Sequence, residues 1–385
     1  MQTYQQVDNY MKRLDLKYFK NTKDFIADLM YKTDKEYTTE LATFLNSRAL
    51  GQNSDNESFY RLKNKTLAGS LCVSAAFDSG VFRHIGNMLV DNSHLLKGTV
   101  LDIGCDCGII TCFMALENPD SKFIGVDINE LAVKNAIELA QSLGLSNVEF
   151  VTADVYDFTL EQKANAVTSF RCLLDVAQKQ TKGVSVIGER GAREALYAQA
   201  FSPLAQAICN NLADDGAIIS VERYTALYGW LGWMTALCDN GVGTLCDKCA
   251  LMTAQDISNT IEYSVTFAQK SAPSSALDAY DFVMSTKFKS GAGVDGAGAE
   301  YALYKDSEEI HFIDVKKGDK LIHQFATAVN PKGKYMFYEA DLDKRTIKYV
   351  NDKKRERMQS DFDEKLRLYS ADEFVISEYT VNSCC

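Results

Sequence analysis

Three aspartates, Asp102, Asp127 and Asp154, each close a short apolar run, and a helix-like stretch separates each run from the next. No other feature of the chain limits its fold as much. TVLDIG reads as a buried strand that turns at a glycine, and ITCFMALENP as the helix that follows. SKFIGVDIN is a second strand, and ELAVKNAIELAQSLGL an amphipathic helix closed by Gly144. NVEFVTADV is a third strand and NAVTSF a weaker fourth. After a polar stretch (176–192), AREALYAQAFSPLAQAICNNL reads as a helix and DDGAIISVERY as a fifth strand. Strands alternating with helices predict an α/β fold with a doubly wound parallel sheet. TIEYSVTFAQK and YDFVMSTKFK, joined by SAPSSALDA, are expected to complete seven strands as a final hairpin.

The flanks follow other patterns. Residues 1–97 carry apolar positions at helical spacing, as in NTKDFIADLMYKT and TTELATFLNSRAL, with a break expected near Asp78–Gly80. This helical N-terminal region is expected to act as a lid or a homodimer contact. Residues 98–290 form the second segment. A glycine-rich linker, SGAGVDGAGAE (290–300), precedes a small α+β C-terminal domain over 297–385. There EYALYK, EIHFIDV, KLIHQFATAV, KYMFYEA and TIKYV read as strands of an antiparallel sheet, and DKKRERMQSDFDEKLRLYS as a charged helix. On this linear reading a chain cut near residue 290 stays folded.

Composition removes several classes. At 46% hydrophobic and 24% charged, with 4 prolines in 385 residues, the chain has the make-up of a folded globular protein. A net charge of −11, from 41 basic and 52 acidic residues, argues against a wholesale grip on nucleic acid or anionic lipid. The basic cluster KRTIKYVNDKKRER (344–357) reads as a solvated helix face. The apolar stretch 98–116 contains Asp102, Asp106 and three glycines, so it reads as strand, turn and helix rather than a membrane span. The N-terminus lacks the apolar core of a signal peptide, and eleven cysteines show no framework spacing. Reduced thiols in a cytoplasmic protein are expected. Cys246 and Cys249 form a CxxC with Cys238 nearby, but no fourth ligand follows, so no metal is expected. The terminal Cys384–Cys385 pair reads as a mobile tail.

In doubly wound sheets, ligands bind outside the carboxyl ends of the strands, which is where the three acids fall. Asp127, 25 residues after Asp102, can accept both hydroxyls of a ribose. Asp154 can accept from an adenine amino group, with Val155 packing beside it. The sequence here resembles the class I S-adenosylmethionine-dependent methyltransferases. LDIGCDCG is similar to their first motif, GVDIN to their second, VTADV to their third, and DDGAIISVER to the stretch through their fifth strand. The resemblance covers about residues 98–290. It implies S-adenosylmethionine as cofactor, bound by Asp102, Gly104, Cys105, Asp106, Gly108, Asp127, Ile128, Asp154 and Val155. Within that set, Gly104, Cys105 and Gly108 line the methionine portion. The family usually has glycine where this chain has Asp106. Asp tolerates positive φ better than most residues; its carboxylate is placed to meet the ligand's ammonium or sulfonium, or to crowd it.

The catalytic group is unknown from the sequence. The chain lacks the Asn-Pro-Pro-Tyr-like motif of the amino-methylating branch, having SFRCLLDV instead. Leu174 stands nearest the position where phenol-methylating members use a histidine, and the four histidines fall outside the active-site loops. Positioning is therefore expected to matter more than any one histidine base. Arg171, Glu222, Arg223 and Tyr224, just past the fourth and fifth strands, are the candidate substrate contacts. Trp230 and Trp233 are read as core. The resulting expectation is methyl transfer to a small molecule, with a protein or RNA methyltransferase, or a catalytically silent scaffold, as alternatives.

Overall fold

A computed structural model describes residues 4–224, 227–257, 259–270, 272–288, 296–371 and 373–383. Most of the glycine-rich linker and the Cys384–Cys385 tail lie outside the described residues. The chain forms two compact units that interleave along the sequence instead of following one another. The first comprises Met1–Gln180, Ser202–Arg223 and Leu237–Pro273; the second comprises Thr181–Phe201, Tyr224–Ala236 and Ser274–Cys385.

The first unit opens with six helices: α1 (Gln5–Arg13), α2 (Thr22–Lys32), α3 (Lys35–Ala49), α4 (Asn56–Lys63), α5 (Leu67–Phe77) and α6 (Ser79–Asp91). Asn21, Asp34, Asp55 and Thr66 start α2 to α5 by accepting a backbone N–H from the first turn. The chain breaks at Asp78, between α5 and α6, where the sequence indicated.

Then come β1 (Thr99–Ile103), α7 (Ile109–Glu117), β2 (Lys122–Asp127), α8 (Glu130–Leu143), β3 (Val148–Thr152), β4 (Ala164–Phe170) and two short helices, α9 (Leu173–Val176) and α10 (Gln178–Thr181). The long helix α11 (Arg190–Asn210) leads to β5 (Leu212–Glu222), and α12 (Leu227–Asp239) to β6 (Val242–Thr244), β7 (Ala250–Gln255) and β8 (Thr260–Lys270). The sheet order is β3-β2-β1-β4-β5-β8-β6, with β7 also paired to β8. The first five strands run parallel, and β8 is antiparallel to β5. Residues from the N-terminal helices (Val7, Tyr10, Phe25, Phe82) share one core with Phe113 of α7 and Phe123 of β2. Tyr10 also donates its hydroxyl to the Ile109 carbonyl at 2.7 Å. The six helices are therefore built onto the sheet.

The second unit contains α13 (Ala276–Lys287), α14 (Ala297–Lys305), β9 (Glu309–Lys317), β10 (Lys320–Val329), β11 (Tyr335–Asp341), β12 (Arg345–Val350), α15 (Asp352–Arg367) and β13 (Phe374–Asn382). Its five strands form an antiparallel sheet in the order β12-β11-β10-β9-β13.

Two segments differ from the sequence reading. YDFVMSTKFK lies largely in helix α13 instead of pairing as a hairpin strand. Ser275 and Asp278 form a reciprocal capping box that starts the helix, and Ala276, Ala279, Tyr280, Val283 and Met284 bury one face at helical spacing. The strands that complete the sheet beside β8 are β6 and β7, neither of which the sequence suggested. EYALYK is likewise helical, in α14, where Ala299, Ala302 and Leu303 pack against Ile310 and Phe312. Trp230 and Trp233 are fully buried, as core residues should be. No helix of the described residues is long and apolar enough to cross a membrane.

Candidate functional site

The site is assembled at the carboxyl ends of β1 to β5, all in the first unit. Asp102 is almost fully buried on β1 and accepts hydrogen bonds from Thr111 Oγ1 (2.5 Å) and Thr168 Oγ1 (2.7 Å). Burial pushes its carboxyl up to about 6 despite both donors. Asp102 thus pins the first turn of α7 and strand β4 to β1.

The chain then turns through Gly104, at φ +68°. Its N–H bonds to the Val126 carbonyl at 2.8 Å, and a side chain here would run into Cys172 Sγ and Cβ. Gly104→Ala is therefore expected to cost about 2–5 kcal/mol, combining left-handed strain with overpacking. Urea unfolding measures this; a loss within error of zero would mean that the turn relaxes freely. Cys105 is buried two residues before Cys107, and burial drives both thiols upward, away from reactivity. Gly108, at φ +78°, caps α7 with Ala136 and Phe150 closely packed around it.

Asp127 ends β2. Its Oδ1 accepts the Asn129 N–H at 2.8 Å and its Oδ2 the Asp106 N–H at 2.9 Å. Burial, aided by the nearby Asp106 carboxylate, lifts Asp127 to about 6. Asn129 caps α8 through its side-chain oxygen, while its Nδ2 is buried and meets no acceptor. Ile128, between them, is 71% exposed. On the far side of β2, Thr152 pairs with Asp127, and Ala153 N–H bonds to the Asp127 carbonyl at 3.0 Å. Asp154 follows, accepting from Tyr156 N–H at 3.0 Å, beside the buried Val155. The acids at the ends of three adjacent strands thus form one row, as their spacing implied.

Asp106 has φ +48°. Its carboxylate takes Lys63 Nζ at 2.5 Å and Asn64 Nδ2 at 2.8 Å, both contributed by the C-terminal end of α4. Lys63 is 4% exposed. Although burial acts to raise it, the Lys63 ammonium holds the Asp106 carboxyl below its ordinary value. Nothing in the sequence marked Lys63 or Asn64, which stand more than forty positions away from Asp106.

Past β4, Arg171 also has positive φ (+62°). Its guanidinium pairs with Asp78 and lies 5.9 Å from the centre of the Tyr263 ring. Asp175 accepts from Tyr60 hydroxyl (2.9 Å) and Asn56 Nδ2 (2.6 Å). Past β5, Glu222 is buried and accepts from Arg223 N–H (2.7 Å) and Leu174 N–H (3.3 Å), with burial raising its carboxyl. Arg223 is exposed. Tyr224 begins a segment of the second unit. Tyr60, Asp78 and Asp175 are further site residues that the sequence did not single out.

The methyltransferase-domain family matches residues 96–370. The chain belongs to the class I S-adenosylmethionine-dependent methyltransferases. Among relatives of this methyltransferase is a ribosomal RNA small subunit methyltransferase C from Pseudoalteromonas translucida, 39% identical over 77 residues, or 18% of this chain and 21% of that one. Another is a release factor glutamine methyltransferase from Buchnera aphidicola, 29% identical over 246 residues, or 61% of this chain and 80% of that one. The chain spans about a fifth of the length of the first relative. Among solved structures, a magnesium protoporphyrin IX methyltransferase from Synechocystis PCC 6803 is 19% identical with a TM-score of 0.34, covering 58% of this chain and 89% of that one.

The family's cofactor is S-adenosylmethionine, and the residues fit it. Asp127 offers two carboxylate oxygens, each taking one backbone N–H, and the neighbouring Asn129 Nδ2 is a buried donor without an acceptor. No group of three metal-ligating side chains occurs among the described residues; Cys249 Sγ instead contacts the Phe267 carbonyl at 3.5 Å.

Proposed function

We propose that this methyltransferase acts on a small polar molecule held between the ends of β4 and β5 and the helices α4 and α5. The observation that supports this is enclosure. Tyr60, Lys63 and Asp78, from α4 and the α5–α6 junction, engage Asp175 of α9, Asp106 after β1 and Arg171 after β4. The acceptor side is thereby walled by side chains of the same unit. Asp127 and Asp154 would hold the ribose and adenine of S-adenosylmethionine, whose sulfonium supplies an already activated methyl group. What remains for the chain is alignment, which can account for much of the acceleration. Glu222, carboxylate-bearing and raised by burial, would orient the acceptor atom and take up its proton.

Mass spectrometry of a metabolite library incubated with enzyme and S-adenosylmethionine identifies acceptors. On the best one, Glu222→Gln is expected to lower kcat/KM by about 10²-fold or more and to flatten its pH profile. Unchanged kinetics would remove Glu222 from this role. A second reading, a protein or RNA acceptor, is favoured by the names of the relatives, which include rRNA and release-factor methyltransferases. Methylation of total RNA or of a ribosomal protein fraction, with none of the library, would decide for it.

A further inference from the structure

Two non-glycine residues at the strand ends of the sheet adopt left-handed backbone, Asp106 after β1 and Arg171 after β4. Each is tied through its side chain to the N-terminal helices: Asp106 to Lys63 and Asn64, and Arg171 to Asp78. Lys63 Nζ also lies 3.9 Å from Asp78 Oδ2, so one charged chain runs Asp106–Lys63–Asp78–Arg171. Resting on the cofactor reading above, we infer that Lys63 is a positioning residue for the S-adenosylmethionine site: its ammonium makes an aspartate workable in the cofactor turn and keeps the neighbouring Asp127 able to accept.

The argument is electrostatic and geometric. Asp106 N–H donates to Asp127 Oδ2, so the two carboxylates share one turn. Like charges at close range disfavour ionisation of both. The groups facing Asp127 are Asp106 from the turn after β1, Lys63 from α4, Asp102 from β1 and the thiols of Cys105 and Cys172. Of these only Lys63 is cationic, and it is buried against Asp106. Removing the ammonium leaves a buried carboxylate without its counter-charge next to the ribose acceptor. Asp127 then holds its proton to higher pH, and a protonated carboxyl offers one acceptor fewer to two ribose hydroxyls. A glycine at 106 would need no counter-ion and would adopt positive φ freely. Lys63 and Asp106 therefore form a matched pair, and the N-terminal helices belong to the cofactor site itself.

The test is calorimetric titration of the full-length protein with S-adenosylhomocysteine between pH 5.5 and 8.5. Wild type must bind; if it does not bind at any pH, the cofactor reading fails and the pair is not at issue. Given wild-type binding, Lys63→Met is expected to weaken affinity about tenfold or more at pH 7, with the fall in affinity on acidification starting at higher pH than in wild type. Adding Asp106→Gly to Lys63→Met is expected to restore both affinity and profile. Should Lys63→Met alone not fold, the contrast is read in soluble yield: recovery by Asp106→Gly supports the pairing, and failure of the double variant overturns it. A Lys63→Met protein that binds like wild type with an unshifted profile, or a loss that Asp106→Gly leaves unrepaired, also overturns it.

Discussion

Asp127→Ala is expected to weaken S-adenosylhomocysteine binding by at least about a hundredfold. Two hydrogen bonds to a charged acceptor are lost, at about 1.5–3 kcal/mol each. The same change strips the Asp106 and Asn129 N–H groups of their acceptor, so some loss of stability should accompany it. Asp127→Asn separates the two effects, because it keeps the shape of the side chain and one acceptor oxygen. Affinity in the wild type also carries a pH signature. The carboxyl of Asp127 sits at about 6, above the ordinary carboxylate range. Its charged form is costly in the folded protein, so its contribution to stability declines as pH rises towards 6. Ribose hydroxyls favour the charged form, and binding should release a proton below that pH. Affinity should therefore fall as pH drops through about 6 and be flat above it. Unaltered binding by the alanine variant would mean that Asp127 does not touch the ligand.

A chain ending at residue 290 is expected to be insoluble, against the linear reading of the sequence. Ile187 is fully buried with Ala299, Leu303, Ile310 and Phe312. Arg190 N–H bonds to Tyr304 hydroxyl at 2.7 Å, and its guanidinium lies 4.4 Å from the centre of that ring. Trp230 packs 6.3 Å from Tyr280, and Tyr280 in turn 6.2 Å from Tyr301. Cutting at 290 removes the neighbours of Ile187, Tyr228 and Tyr280 together. At about 1.5–3 kcal/mol for each large apolar side chain, the loss is of order 5–10 kcal/mol, comparable with the whole stability of a typical domain. Soluble yield and a melting curve check this. A soluble truncated protein with wild-type affinity for S-adenosylhomocysteine would show that those side chains find other cover.

The first five strands could be read from the sequence because each is a short apolar run ended by a turn signal, and three are marked by an acid. The row of acids followed directly, since Asp102, Asp127 and Asp154 owe their alignment to strand register. The ion pair between Lys63 and Asp106 could not be read. RLKNK looks like any helix end, and only packing of α4 over the turn brings it near. Helix α13 is legible in principle: Ser275 and Asp278 carry the capping-box spacing, but the aromatic and β-branched residues after them mimic a strand. Short strands such as β6, three residues long, have too little pattern to detect; their pairing with β8 fixes them.

The interleaving of the two units has a consequence during synthesis. Helices α1 to α6 and strands β1 to β4 leave the ribosome as one uninterrupted stretch and can begin to pack at once. Ile187 emerges soon after them, yet its buried neighbours Leu303 and Ile310 lie more than a hundred residues downstream. At about 5–20 residues per second, that segment waits on the order of ten seconds with its apolar face uncovered, and Trp230 waits for Tyr280 in its turn. The nascent protein thus has a built-in interval during which it depends on whatever shields exposed apolar chain in the cell.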